Sequence, residues 1–235
     1  MCSSFSSLII FSFEVSKGET LAIVGATGAG KSTIINLLNR FYGIQSGRIS
    51  IDGHNIDALS LKGLRSHIAV VLQDVFLFAD TIENNISLGN SEVSLSEIEA
   101  AAKEIGVHDF IESLPGGYQF NVKERGGMLS SGQRQLIAFL RAYVTKPSIL
   151  VLDEATSSID SASEQLIQKA TDTITKGRTS IVIAHRLATI QKASNILVMD
   201  AGVIVEQGTH EALLKKGAYY KNLYEAQFLS VAVLE

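Results

Sequence analysis

Gly25-Ala26-Thr27-Gly28-Ala29-Gly30-Lys31-Ser32 matches G-x-x-x-x-G-K-[ST], the pattern of a phosphate-binding loop. An apolar run, residues 20–24, comes just before it, and a helical pattern follows with Ile34, Leu37, Leu38 and Phe41 on one face. Strand, loop and helix in that order are the setting the motif requires. Glycine tolerates positive φ and carries no Cβ, so the backbone can wrap closely around an anion. Successive N–H groups then point inward at the phosphates, and the helix N-terminus adds its partial positive charge. Lys31 is expected to reach the β- and γ-phosphates and Ser32 to ligate Mg²⁺, with Thr33 counted among the binding residues. The loop announces a nucleotide and leaves open what the nucleotide drives.

A chain of 235 residues with 46% hydrophobic residues is enough for one domain with a buried core and a subdomain. A net charge of −4 supplies no basic field, so no nucleic-acid partner is expected. The single cysteine, Cys2, excludes an internal disulfide and suits a reducing compartment. No stretch approaches the ~20 apolar residues needed to cross a bilayer. The apolar residues 8–13 are short and no Lys or Arg precedes them, so they read as a strand rather than a signal peptide, and the polypeptide is expected to be soluble by itself.

Outward from the loop, residues 7–15 read as a strand and Lys17-Gly18-Glu19 as the turn into the loop's own strand. Gly47-Arg48-Ile49-Ser50-Ile51-Asp52-Gly53 alternates and ends in a turn, as a short edge strand does. Residues 61–66 suggest a short helix, and the β-branched residues 68–72 a buried strand that delivers Gln73. From Asp74 to Lys146 the pattern turns helical. Leu95, Ile98, Ala101, Ala102 and Ile105 share one stripe; Leu136, Ile137, Leu140 and Val144 share another, with a Pro115-Gly116-Gly117 loop between them and Pro147 as the stop. Strands return at Ile149–Asp153, residues 180–184 and residues 196–199 as near-continuous apolar runs, the mark of strands covered on both faces. Between the first two, a helix is expected to open on the capping box Ser161-Ala162-Ser163-Glu164 and to stop at Gly177. The aromatics of residues 219–228 recur at helical spacing. They read either as a docking face or, preferably, as packing against the sheet.

Ile149-Leu150-Val151-Leu152-Asp153-Glu154 is an apolar strand ending in two acids. A carboxylate at the end of a buried strand is costly unless a cation balances it, and Mg²⁺ makes Asp153 the expected metal-side ligand. Glu154, one residue further, could orient and activate an attacking water. Leu129-Ser130-Ser131-Gly132-Gln133 precedes the long helix. It reads as an ordinary N-cap or as a second γ-phosphate cradle. The loop at Gly25 already claims those phosphates from its own side, so a second cradle suits a nucleotide held by another copy of the domain.

Taken together, these stretches resemble the nucleotide-binding domain of ABC transporters over nearly the whole chain. In that resemblance Gly25 to Ser32 is Walker A, Ile149–Asp153 followed by Glu154 is Walker B, and residues 129–133 are the signature. Gln73 is the Q-loop glutamine, His185 the switch histidine, and Ser157-Ser158-Ile159-Asp160 the D-loop. Gln73-Asp74-Val75-Phe76-Leu77-Phe78, Thr81-Ile82-Glu83-Asn84-Asn85-Ile86, Leu114-Pro115-Gly116-Gly117-Tyr118 and Glu124-Arg125-Gly126 are similar to the exporter branch. The resemblance implies an α/β fold: a P-loop NTPase (RecA-like) core with a mostly parallel sheet, a small antiparallel β subdomain and an inserted α-helical subdomain. It implies a single ATPase domain over 1–235, with 1–73 and 147–235 as core and 74–146 as the helical subdomain. It also implies an ATP hydrolase with ATP and Mg²⁺ as cofactors. Two domains, a second copy or a paralogue, close head to tail around two ATP. Each nucleotide lies between the Gly25, Ala26, Thr27, Gly28, Ala29, Gly30, Lys31, Ser32 and Thr33 loop of one and Ser130, Gly132 and Gln133 of the other. Lys31, Glu154, His185 and Gln73 are the implied catalytic set, Ser32, Gln73 and Asp153 the implied metal set, and Asp160 a link between the two sites. A transmembrane domain is the implied partner at the cytoplasmic face of the cell membrane, with Phe76, Leu77 and Phe78 facing it or, equally, serving as core.

Two features depart from the family pattern. Ser131 stands where the signature usually has a second glycine. The aromatic that stacks on adenine should fall at or before Met1, with Phe5 the nearest and poorly spaced, so the chain is expected to begin inside its natural domain. An importer ATPase subunit shares every catalytic motif and is the alternative, with a soluble ABC protein behind it.

Overall fold

A computed structural model describes residues 12–154 and 161–226, with side chains described from 163 in the second stretch. Their contacts form two compact units, one of the residues up to Arg65 together with those from Thr179 onward, the other of residues 66–178.

In chain order, β1 (Thr20–Gly25) and α1 (Lys31–Leu38) frame the glycine loop. β2 (Ser50–Ile51) and β3 (His54–Asn55) pair antiparallel, with Asp52 and Gly53 of the turn both at positive φ, 48° and 79°. That is the hand a two-residue hairpin turn needs. α2 (Leu61–His67) leads into β4 (Ile68–Val71). The helices α3 (Ile82–Ser87), α4 (Leu95–Ile105), α5 (His108–Glu112) and α6 (Ser131–Val144) follow. Then come β5 (Ile149–Asp153), α7 (Ser161–Thr175), β6 (Thr179–Ile183), α8 (Leu187–Lys192), β7 (Asn195–Asp200), β8 (Val203–Gly208), α9 (His210–Lys216) and α10 (Tyr219–Tyr224). The strand order of the six-stranded sheet is β4-β5-β6-β1-β7-β8, and among the described pairings of that sheet only β7 with β8 is antiparallel. The fold is α/β, a mostly parallel sheet with a small antiparallel pair beside it.

In the first unit β1 lies between two parallel neighbours, with Ile23 opposite Ile183 of β6 and Leu197 of β7. Leu21, Ala22, Ile23 and Val24 are buried in succession, as are Ile196, Leu197, Val198 and Met199. A strand packed on both faces has no use for alternation, which is why these stretches read as unbroken apolar runs. β8 is an element that the apolar runs do not announce. It turns back from β7 through Ala201 and Gly202, both at positive φ, and carries the buried Glu206. Glu206 accepts the Tyr220 N–H at 2.6 Å and pairs with Lys216 at 2.9 Å, fastening α9 and α10 to the strand. Tyr220 is buried, so the described part of the aromatic tail packs on its own unit's sheet.

In the second unit α6 is the central helix. Leu136, Ile137 and Leu140 are fully buried, and the helix packs on α3, α4, α7 and β4. α4 turns Ile98, Ala101, Ala102 and Ile105 inward. Because α6 packs on α7 and β4, and β4 pairs with β5, this compact unit reaches beyond the helical stretch 74–146.

Two local expectations are corrected. Of the strand read at 7–15, residues 12–15 form none, and the rest lies outside the described residues. The turn at Lys17 and Gly18 draws in Ser16, whose N–H donates to the Glu19 carboxylate at 2.9 Å and whose carbonyl accepts from Glu19 at 3.1 Å. Phe41 does not share the apolar face of α1. The helix stops at Leu38, Arg40 takes a positive φ of 50°, and Phe41 is exposed with the Arg65 guanidinium 5.0 Å from its ring centre.

Candidate functional site

The glycine loop closes between β1 and α1 in the first unit. Gly28 and Gly30 have φ of 83° and 96°, and Gly30 is the left-handed residue that opens α1 with no side-chain cap. At Gly25 an added Cβ would strike the Met199 carbonyl oxygen of the neighbouring strand, so that position admits no side chain. Ala29 is tied down from both sides: its N–H donates to Ala26 O and its carbonyl accepts from Gly202, each at 3.1 Å. The buried Lys31 turns its ammonium back over the loop and donates to Gly25 O at 2.8 Å and Ala26 O at 3.0 Å. Ala26, Thr27, Gly28 and Ser32 are exposed, Thr33 is half-buried, and the first turn of α1 carries no acidic residue. An open loop of backbone donors at a positive helix end, with a cation over it and no competing carboxylate in that turn, suits a phosphate.

β6 delivers His185 to the same unit. Ala184 continues the parallel ladder with a 3.1 Å bond to Ile23 O, and His185 follows it past the strand end. Burial and then the Lys31 charge hold the imidazole below its ordinary value of 6.5. At neutral pH it is the uncharged form, able to donate from one ring nitrogen and accept at the other. The fold thus brings Lys31 and His185, 154 residues apart, into electrostatic contact at the carboxyl end of parallel strands, where α/β sheets bind ligands.

The second unit holds the other residues read as a site. β5 ends on the half-buried Asp153, and Glu154, just beyond, is buried. Val71 of β4 pairs with Leu152 of β5, so Gln73 and Glu154, each two residues on, leave the same edge of the strand pair. Gln73 is exposed. Ser130 caps α6: its hydroxyl accepts from Gln133 N–H at 3.2 Å, and the Gln133 side-chain oxygen accepts from Ser130 N–H at 2.9 Å. Gly132 is buried in the first turn, and Ser131 is exposed in the helix. Ser157, Ser158, Ile159, Asp160 and Phe5 lie outside the described residues.

Phe76, Leu77 and Phe78 divide between the two readings open to them. Leu77 is fully buried, while Phe76 and Phe78 are 55% and 54% exposed and meet edge to face with centroids 5.1 Å apart. Two residues to which the sequence reading gave no role of their own hold this pair in place. Asn85, wholly buried on α3, accepts from Phe78 N–H at 2.8 Å and donates to Phe78 O and Thr81 O at 3.0 Å. Arg141 of α6 donates to Asn85 O at 2.8 Å and to Phe76 O at 3.3 Å. The sequence signal for Asn85 was available: it falls with Ile82 and Ile86 on the buried face of α3, a polar residue on an apolar stripe.

The ABC transporter family profile matches residues 8–157. The chain is 52% identical over 217 residues to an ATP-dependent lipid A-core flippase of Saccharophagus degradans, covering 92% of this chain and 37% of that protein. It is 50% identical over 216 residues to a probable multidrug resistance ABC transporter ATP-binding/permease protein of Bacillus subtilis, covering 92% and 32%. It superposes with a TM-score of 0.85 and 45% identity on a bacterial Atm1-family ABC exporter solved with ATP bound, covering 92% of this chain and 38% of that one. The chain therefore spans between 32% and 38% of the length of these proteins. With a family profile over residues 8–157 and relatives about half identical over nine-tenths of its length, the chain belongs to the ABC transporter family.

Proposed function

We propose that this chain is the ATP-hydrolysing domain of an ABC exporter, working in a pair with a second copy or a paralogue and attached to a transmembrane domain at the cytoplasmic face of a membrane. The observation that carries the reading is the first unit's pairing of a left-handed glycine loop, closed by Lys31, with a neutral His185 under the influence of the Lys31 charge. The matched structure is an ABC exporter by title, the matched relatives are a lipid A-core flippase and a probable multidrug resistance transporter by name, and nothing favours an importer subunit. No helix among the described residues is long and apolar enough to cross a membrane, so the membrane partner is sought elsewhere than in these residues.

In this reading the backbone N–H groups of residues 25–33 wrap the phosphates, and Lys31 leaves its carbonyl partners to meet the β- and γ-oxygens. Mg²⁺, when bound, neutralises phosphate charge and fixes the phosphate oxygens, with Ser32, Asp153 and Gln73 as the residues that would hold it. Glu154 positions and deprotonates the attacking water. His185, uncharged, donates to the γ-phosphate. Ser130, Gly132 and Gln133 present the N-terminus of α6 to the nucleotide of the other copy, so that closure follows ATP binding and opening follows hydrolysis.

Light scattering and phosphate release test the proposal. Wild-type chain should hydrolyse ATP with Mg²⁺, and Glu154→Gln should abolish release while trapping an ATP-dependent species of twice the monomer mass. Ser130→Arg in that background should return the monomer. A Glu154→Gln chain that binds ATP and stays monomeric would overturn self-pairing.

A further inference from the structure

α6 starts at the Ser130–Gln133 cap and carries Arg141 ten residues past Ser131, about 15 Å along the helix. Arg141 is half-buried, and that burial lowers its pKa from the ordinary arginine value. Its hydrogen-bond acceptors are two main-chain carbonyls, Asn85 O and Phe76 O, and among the described residues no carboxylate pairs with it. A guanidinium offers its donors in a fixed planar fork, so it fits only acceptors standing in the right relative position. Here those acceptors belong to two different segments, the loop at Phe76 and the helix α3. Asn85 joins the same two: its side chain pairs with both backbone groups of Phe78 as a neighbouring strand would, while its own carbonyl takes the Arg141 Nε–H. Loop, α3 and α6 are locked by these bonds, and the exposed product of the lock is the Phe76–Phe78 pair.

We infer that Arg141 and Asn85 are positioning residues that make the Phe76–Phe78 pair a rigid extension of α6, so that movement of the α6 N-terminus on a nucleotide and displacement of the aromatic pair are one motion. This rests on the proposed function, in which that N-terminus meets the nucleotide of the other copy. Carbonyl dipoles bind a guanidinium less tightly than a carboxylate would, so the lock holds position without closing off the loop's movement as a body.

The chain contains no tryptophan, so Phe76→Trp supplies a single emission reporter at the pair while leaving the Phe76 carbonyl in place. In the Glu154→Gln background, Mg-ATP is titrated while ATP binding, dimer mass and Trp emission are read together. With Arg141 present the emission shift should follow dimer formation. Arg141→Met should leave ATP affinity within about twofold and the dimer mass unchanged while cutting the emission shift at least threefold, and Arg141→Lys should restore part of it. Asn85→Asp, which removes both amide donors from the loop, should cut the shift in the same way and serves if Arg141→Met does not fold. An undiminished shift in a dimer lacking Arg141 overturns the inference alone. Absence of an ATP-dependent dimer in the parent overturns self-pairing and the inference with it.

Discussion

Ser130 and Gln133 satisfy each other across the first turn of α6, hydroxyl to N–H at 3.2 Å and side-chain oxygen to N–H at 2.9 Å. Groups proposed to meet a nucleotide are therefore also engaged in the helix cap. A ligand that takes the Ser130 hydroxyl competes with that cap, and the cap also keeps the helix end ordered for it.

Ser130→Ala should lower stability by about 1 kcal/mol, the usual worth of an N-cap. The measurement is the urea midpoint of the nucleotide-free chain. Gln133→Ala should cost less, since it leaves the hydroxyl cap in place. Equal, near-zero effects would show that the cap is not made in solution.

Gly25→Ala should destabilise by about 2 kcal/mol or more, because the new methyl meets a backbone carbonyl that cannot swing away. Gly28→Ala meets no atom within 4 Å and carries only the penalty of φ 83°, so it should cost less. Thermal melts of the two variants decide the order.

His185 should titrate below 6.5 by proton NMR, and Lys31→Met should move it back upward without restoring it fully, since burial is the larger cause. The linkage sign follows. A depressed histidine takes its proton in the unfolded chain first, so stability falls as pH drops below the unfolded pKa and the loss levels off beneath the folded one. His185→Gln should flatten that acid-side loss in denaturation curves measured across this range.

Leu77→Ala should cost about 3 kcal/mol, as removal of a fully buried leucine does. Phe76→Ser and Phe78→Ser should change stability by no more than about 0.5 kcal/mol, since both rings stand in solvent. If the exposed pair faces a membrane domain, the two serine variants keep ATP hydrolysis in the isolated chain and lose its stimulation by that partner.

The glycine loop, the strands on either side of it and the amphipathic helices α4 and α6 were legible because each rests on a local rule: a motif, an unbroken apolar run, a 3.6-residue stripe. β8 was passed over because Glu206 interrupts its apolar character, and what makes a buried glutamate acceptable there is supplied by Lys216 and Tyr220. Arg141 was passed over for a related reason. Its partners are main-chain carbonyls 56 and 65 residues away, which leave no trace in side-chain spacing.

By itself the sequence determined the glycine loop with its strand and helix, the buried apolar strands, the family resemblance and the residue types offered for phosphate chemistry, since those depend on interactions along a few consecutive residues. Tertiary structure decided what no short window contains. It set the Met199 carbonyl against Gly25, brought the Lys31 charge to bear on His185, and divided Phe76 and Phe78 from Leu77 between solvent and core. Sterics between strands, Coulomb interaction and burial act through space, and the distances that govern them exist only once the chain has folded.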